Sequence, residues 1–92
     1  MISIKKVDRF DKMLFDLCKD DSELDELVNQ KIIWFANNPE DTRIDNHKLK
    51  KKMKGKWAFS ITDDIRIVYV WLGKKKVRFL AIGSHKTVYK ND

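Results

Sequence analysis

Residues 57–82 read WAFSITDDIRIVYVWLGKKKVRFLAI, and the period of two that runs through them decides the fold. Trp57, Phe59 and Ile61 alternate with Ala58, Ser60 and Thr62, and Thr62-Asp63-Asp64 turns the chain. Ile65 to Leu72 is apolar at nearly every position, which predicts a central strand covered on both faces. Gly73 with Lys74 and Lys75 makes the next hairpin turn, and Val77 to Ile82 the last strand. A three-stranded antiparallel meander is the expectation for the carboxyl-terminal half.

Upstream the period changes. Ile2, Ile4 and Val7 set against Ser3 and Lys5 predict an edge strand. Phe10, Met13, Leu14, Leu17 and Cys18 recur at helical spacing. Asp20-Asp21-Ser22 breaks that helix, and Ser22 with Asp25 reads as a capping box opening a second one. Its stripe is Leu24, Leu27, Val28, Ile32 and Phe35, widened by Ile33 and Trp34, and Asn37-Asn38-Pro39 ends it. Residues 38–56 form a polar connection too long to be a plain loop, which predicts a functional segment or a short extra strand. The fold class is therefore α+β, a strand and a two-helix hairpin packed on a C-terminal antiparallel sheet, with helices on one sheet face and the other face free. The tail from Gly83 to Asp92 is expected to fold back over the sheet.

With 92 residues the chain has room for one domain, spanning 1–92. Three glycines and one proline exclude collagen-like or low-complexity structure. Cys18, the only cysteine, allows neither an internal disulfide nor a thiolate zinc cluster and reads as a buried, inert thiol. The start of the sequence has no signal-peptide pattern, and no segment approaches the roughly 18 apolar residues of a membrane span. The expectation is a cytoplasmic protein with no membrane partner.

Charge is unevenly distributed. Residues 1–46 carry seven basic and eleven acidic side chains, a net −4, whereas residues 47–92 carry thirteen and three, a net +10. A cationic half of this size points to a polyanion, with nucleic acid the leading partner class. The sequence has no phosphate-binding loop, no Gly-x-Gly-x-x-Gly opening a helix, no His-Glu-x-x-His and no Gly-x-Ser-x-Gly, so no cofactor or metal is implied.

What remains suffices for metal-free RNA cleavage. Attack by a ribose 2′-oxygen on the adjacent phosphorus needs a base, an acid and cations around the phosphate. His47 and His85 suit the proton roles. Arg66 offers paired donors to the phosphate, Lys48, Lys50, Lys52, Lys54 and Lys56 line the backbone path, and Tyr89 is placed to stack a base or orient the sugar. Each residue also has a plainer reading: His47 an exposed loop residue, His85 a strand-end cap, Arg66 an ion pair with Asp63 or Asp64, the lysines a solubilising run. Tyr69, Trp71, Phe79 and Leu80 read as core, and Trp57 stays open between core and base stacking.

In order along the chain, His47-x-Leu49, Gly55-Lys56-Trp57, Asp64-x-Arg66-x-x-Tyr69 and Ile82-Gly83-x-His85-x-x-x-Tyr89 resemble the carboxyl-terminal half of RelE/ParE-superfamily toxins, nearest the YafQ-like branch. The resemblance implies a toxin of a type II toxin–antitoxin pair: a RelE-like endoribonuclease that cuts messenger RNA in the ribosomal A site, held in an oligomer by a cognate antitoxin. By position it makes His47, Asp64 and His85 acid–base or positioning residues, Arg66 the phosphate contact and Tyr89 the terminal aromatic. Two positions depart from it. Ser60 stands where YafQ-like toxins tend to have a catalytic histidine, and Lys51 where many relatives have glycine. The superfamily also contains gyrase-inhibiting ParE members, and a toxin-like module without catalysis is a third possibility, so fold alone does not decide function.

Overall fold

The computed structural model describes residues 1–89, so the last three residues of the expected tail lie outside it. The chain runs β1 (Ser3–Lys6), α1 (Asp8–Cys18), α2 (Ser22–Asn37), β2 (His47–Lys48), β3 (Trp57–Ser60), β4 (Ile65–Gly73), β5 (Lys76–Ser84) and α3 (His85–Val88). Short 3-10 turns at Thr42–Ile44 and Lys51–Met53 break up the long connection, whose extra strand is β2. The sheet order is β1-β5-β4-β3-β2, which makes β4 central, as its apolar sequence demands. The meander β3-β4-β5 is antiparallel, and β1 joins β5 in parallel, so the five-stranded sheet is mixed.

One face of the sheet is closed by the two helices. Phe10 and Cys18 of α1 and Val28 and Phe35 of α2 meet Phe59, Ile67, Tyr69, Val77, Phe79 and Ile82 from the strands. Phe35 lies at the centre, stacked on Phe59 at 4.5 Å between ring centroids and edge-on to Tyr69 at 4.9 Å. A bulge in β5 changes the alternation: Val68 faces Ala81 while Tyr69 faces Phe79, so Leu80 is the extra residue and Phe79 and Ile82 both point to the helices.

Three expectations need correction. The cap of α2 is Asp21, whose Oδ1 accepts from the Leu24 amide at 3.0 Å, and Ser22 is the first helical residue. A carboxylate there suits both the free amides and the positive end of the helix dipole. Ile33 stays 57 % exposed, because it falls off the stripe defined by Val28 and Phe35. The opposite sheet face is also not free. Leu49, Met53, Ala58 and Val68 form a second, small apolar cluster there, joined by Leu80, Val88 and Tyr89. Two apolar side chains hidden in the lysine run thus seat that loop on the sheet. Among the described residues no helix is long and apolar enough to cross a membrane.

Candidate functional site

Cross-strand partners share a face, so the strand register maps the side of the sheet away from the helices, the outer face. Ala58 and Val68 belong to the outer cluster, and His47 pairs with Ala58, which puts His47 on that face. Ser60, two residues beyond Ala58, pairs with Arg66, and Arg66 pairs with Gly83. A row Ser60–Arg66–Gly83 therefore crosses three strands, with His47 on one flank and α3 on the other. A Cβ built on Gly83 would touch Thr87 and Val88 at 3.5 Å, so the α3 turn lies over the outer face.

His47 is half-buried, with Nδ1 2.9 Å from the Asp45 carbonyl. That acceptor requires a proton on Nδ1, so in the neutral ring Nε2 is the unprotonated nitrogen. Asp45 takes the left-handed conformation, φ 48°, that aims its carbonyl this way.

Arg66 makes no ion pair with Asp63 or Asp64. Its Nη1 donates to the Thr62 carbonyl at 2.6 Å, so one arm of the guanidinium is anchored at the β3–β4 turn. Thr62 organises that turn as well: its hydroxyl accepts from the amides of Asp64, 3.2 Å, and Ile65, 2.9 Å.

Asp64 lies at the start of α3. Its carbonyl accepts from the His85 amide at 2.7 Å and its Oδ1 from the same amide at 3.3 Å, which ties α3 to the hairpin. The cap of α3 is Ser84, whose hydroxyl accepts from the Thr87 amide at 3.1 Å. His85 is therefore not needed as a cap, and its side chain stands exposed, edge-on to the Tyr89 ring at 4.4 Å and 89°. Tyr89 itself packs on the outer cluster.

The lysines divide into two groups. Lys50, Lys52 and Lys54 are exposed on the loop that Leu49 and Met53 fasten to the outer face. Lys48 belongs elsewhere: it pairs with Trp57, which packs against the helix-side core, and its Nζ lies 5.6 Å from the Trp57 ring centroid. Trp57 is thereby core and edge rather than outer face. Lys56, half-buried, gives its carbonyl to the Leu49 amide at 2.9 Å. Lys51 has φ 56°, a left-handed conformation that glycine adopts without cost, and Gly55 has φ 91°. Among the described residues no group of three or more His, Cys, Asp or Glu side chains converges on a common point.

The structure thus gathers Asp64, Arg66, His85 and Tyr89 at one end of the meander, and sets His47 on the same face across the sheet. From the row His47–Ala58–Val68–Ala81, three strand spacings of about 4.8 Å separate His47 from β5. Sequence reasoning placed Thr62 in the turn but not as the acceptor that orders it, and it missed Ser84 as the cap of α3, although a hydroxyl at a helix start is a readable signal. It also missed Asn46, which accepts a hydrogen bond from the Tyr69 phenol, for which no local signal exists.

Comparison with known proteins gives a consistent result. The profile of the family described as "Bacterial toxin of type II toxin-antitoxin system, YafQ" matches residues 2–90. A copper-bound point variant of a toxin from Helicobacter pylori is 25% identical with a TM-score of 0.76, covering 96% of this chain and 99% of its own. YafQ from E. coli is 20% identical with a TM-score of 0.77, covering 97% and 99%. The E. coli DinJ–YafQ complex gives 21% identity and a TM-score of 0.73 over 97% and 99%. Comparison with curated proteins finds no match.

Proposed function

The chain belongs to the YafQ family of bacterial toxins of type II toxin–antitoxin systems, and on that premise we propose that it is a metal-independent endoribonuclease that cuts messenger RNA in the ribosomal A site. The observation that carries this reading is the outer sheet face, where Arg66, Asp64, His85 and Tyr89 gather at one end of the meander and His47 stands across the sheet from them on the same face, beside an exposed lysine loop. Residues 1–92 act as one toxin domain in the cytoplasm, where ribosomes are found. A cognate antitoxin is the protein partner and forms an oligomer with the toxin, a reading supported by the complex of YafQ with DinJ.

In this mechanism His47, its Nδ1 proton held by Asp45, takes the 2′-hydroxyl proton through Nε2. The 2′-oxygen attacks phosphorus, and the guanidinium donors of Arg66 not used on Thr62 neutralise charge on the pentacoordinate phosphate. His85 protonates the departing 5′-oxygen, with its ring set by Tyr89 and its backbone by Asp64. Asp64 acts here as a positioning residue. Lys50, Lys52 and Lys54 hold the neighbouring phosphates, helped by Lys56 and, from the sheet edge, Lys48. The products are a 2′,3′-cyclic phosphate and a 5′-hydroxyl.

Ser60 favours a second reading. A hydroxyl in the row beside Arg66 supplies no proton near neutral pH, so a face that binds RNA or antitoxin without cutting is the alternative this residue supports. End-group analysis of messenger RNA from a poisoned translating extract separates the two. Cyclic phosphate and 5′-hydroxyl ends, formed after EDTA treatment with ribosomes kept intact by polyamines, support the nuclease. A 5′-phosphate, or a divalent ion needed in the chemical step, overturns the metal-free mechanism. Whole messenger RNA supports the binding module, and inhibited supercoiling in the same extract assigns the chain to gyrase inhibition.

A further inference from the structure

Tyr69 is the largest fully buried side chain, at the centre of β4, and its ring is fixed by Phe35, Phe59 and Phe79. Its phenol nevertheless reaches a residue far away in sequence, donating to Asn46 Oδ1 at 2.6 Å. Burial pushes the phenol's pKa well above its ordinary value, so the group remains a donor across the physiological range. Asn46 stands between Asp45, whose carbonyl receives the Nδ1 proton, and His47, which carries it. β2 is only two residues long, so ladder pairing alone holds His47 weakly.

We infer that Tyr69, acting through Asn46, is a positioning residue for His47. The aromatic core fixes the phenol, the phenol fixes Asn46, and Asn46 fixes the left-handed turn at Asp45 whose carbonyl selects the His47 tautomer. The arrangement transmits the rigidity of the helix-side core through the sheet edge to a group on the outer face. Its catalytic consequence rests on the reading of His47 as a proton-transfer group; its structural consequence does not.

The tautomer is therefore the primary readout. In the intact protein, nitrogen NMR of the His47 ring should show Nδ1 protonated and Nε2 bare. Tyr69→Phe keeps the ring and deletes the donor, and Asn46→Ala keeps the aromatic side chains and deletes the acceptor. Both should move His47 toward the Nε2–H tautomer that free histidine favours in water. Asn46→Asp retains the acceptor oxygen and should keep the Nδ1–H form. Cleavage by Tyr69→Phe and Asn46→Ala should fall by roughly 10- to 100-fold in kcat with KM nearly unchanged, the size expected for a small misplacement of a reacting group. A His47 ring that keeps Nδ1 protonated in both variants overturns the proposal, whatever the activity. A tautomer that moves while neither the parent nor the variants cut RNA supports the positioning role and removes the nuclease reading instead.

Discussion

The two faces of the sheet are built on opposite principles. The helix side buries a continuous aromatic core, with Phe10, Phe35, Phe59, Tyr69 and Phe79 at about 1 % exposure or less. The outer side buries four smaller groups, Leu49, Met53, Ala58 and Val68, under a lysine loop and one turn of helix. Its remaining area holds His47, Ser60 and Arg66 in the open sheet rows. Full burial of a large apolar side chain is worth about 1.5–3 kcal/mol, so the helix side carries most of the stability. The outer face is thereby left free to hold polar groups whose geometry, not their burial, is what matters. A long-range side-chain hydrogen bond, Tyr69 to Asn46, ties the core to the segment that carries His47.

The contrast breaks most visibly if core and site are mutated separately. Phe35→Ala should cost about 3–5 kcal/mol of folding stability, because a fully buried aromatic leaves a cavity among its partners. Met53→Ala, at the thin outer cluster, should fall at or below the lower end of the ~2–5 kcal/mol range for such truncations. Urea unfolding of both variants checks the order, and equal losses would refute the two-principle picture.

Arg66→Ala should reverse the pattern. Its guanidinium is half-buried on the outer face and anchored to a backbone carbonyl, so cleavage should drop about 10²–10³-fold, the typical cost of one preorganised electrostatic donor. The unfolding midpoint should shift little. A variant that unfolds as readily as Phe35→Ala would make Arg66 structural.

A milder effect belongs to the loop. Replacing Lys50, Lys52 and Lys54 together by glutamine should weaken RNA or ribosome association and make it less salt-dependent, since each lost phosphate contact releases fewer counterions. Stability should hold within about 0.5 kcal/mol per exposed site. An unchanged salt slope would make the lysines merely solubilising.

The smallest effect is expected at Lys51, which takes a left-handed φ of 56° in that loop. Lys51→Gly should be neutral or stabilising by up to about 1 kcal/mol, the relief of steric strain being partly offset by the freedom of glycine in the unfolded chain. Gly55→Ala, at φ 91°, should destabilise. Thermal melts of the two distinguish them.

Long-period signals made the helix-side architecture legible from sequence. The apolar run of β4, the alternation in β3 and the helical stripes each repeat often enough to specify an element. The outer face was less legible, for physical reasons tied to particular residues. Leu49 and Met53 are two apolar groups among lysines, too few to show a period, yet they close the outer cluster. The bulge at Leu80 shifts the facing of β5 by one residue, an effect of pairing that no single strand encodes. The choice of Asp21 over Ser22 as cap turns on one residue of register between two good capping side chains. The candidate residues stand out in the sequence by type and order, whereas Arg66 bonding a carbonyl and His85 facing Tyr89 depend on how the turn and tail close.

Whether the outer face cuts RNA is read from the 5′ ends of messenger RNA mapped in a translating extract. The chain should produce new ends within the reading frame only when ribosomes are present, and His85→Gln, folded and loaded at the same concentration, should reduce them by roughly 10²–10⁴-fold. Equal cleavage by the parent and His85→Gln, or intact messenger RNA under conditions where translation is arrested, would contradict cutting by this face.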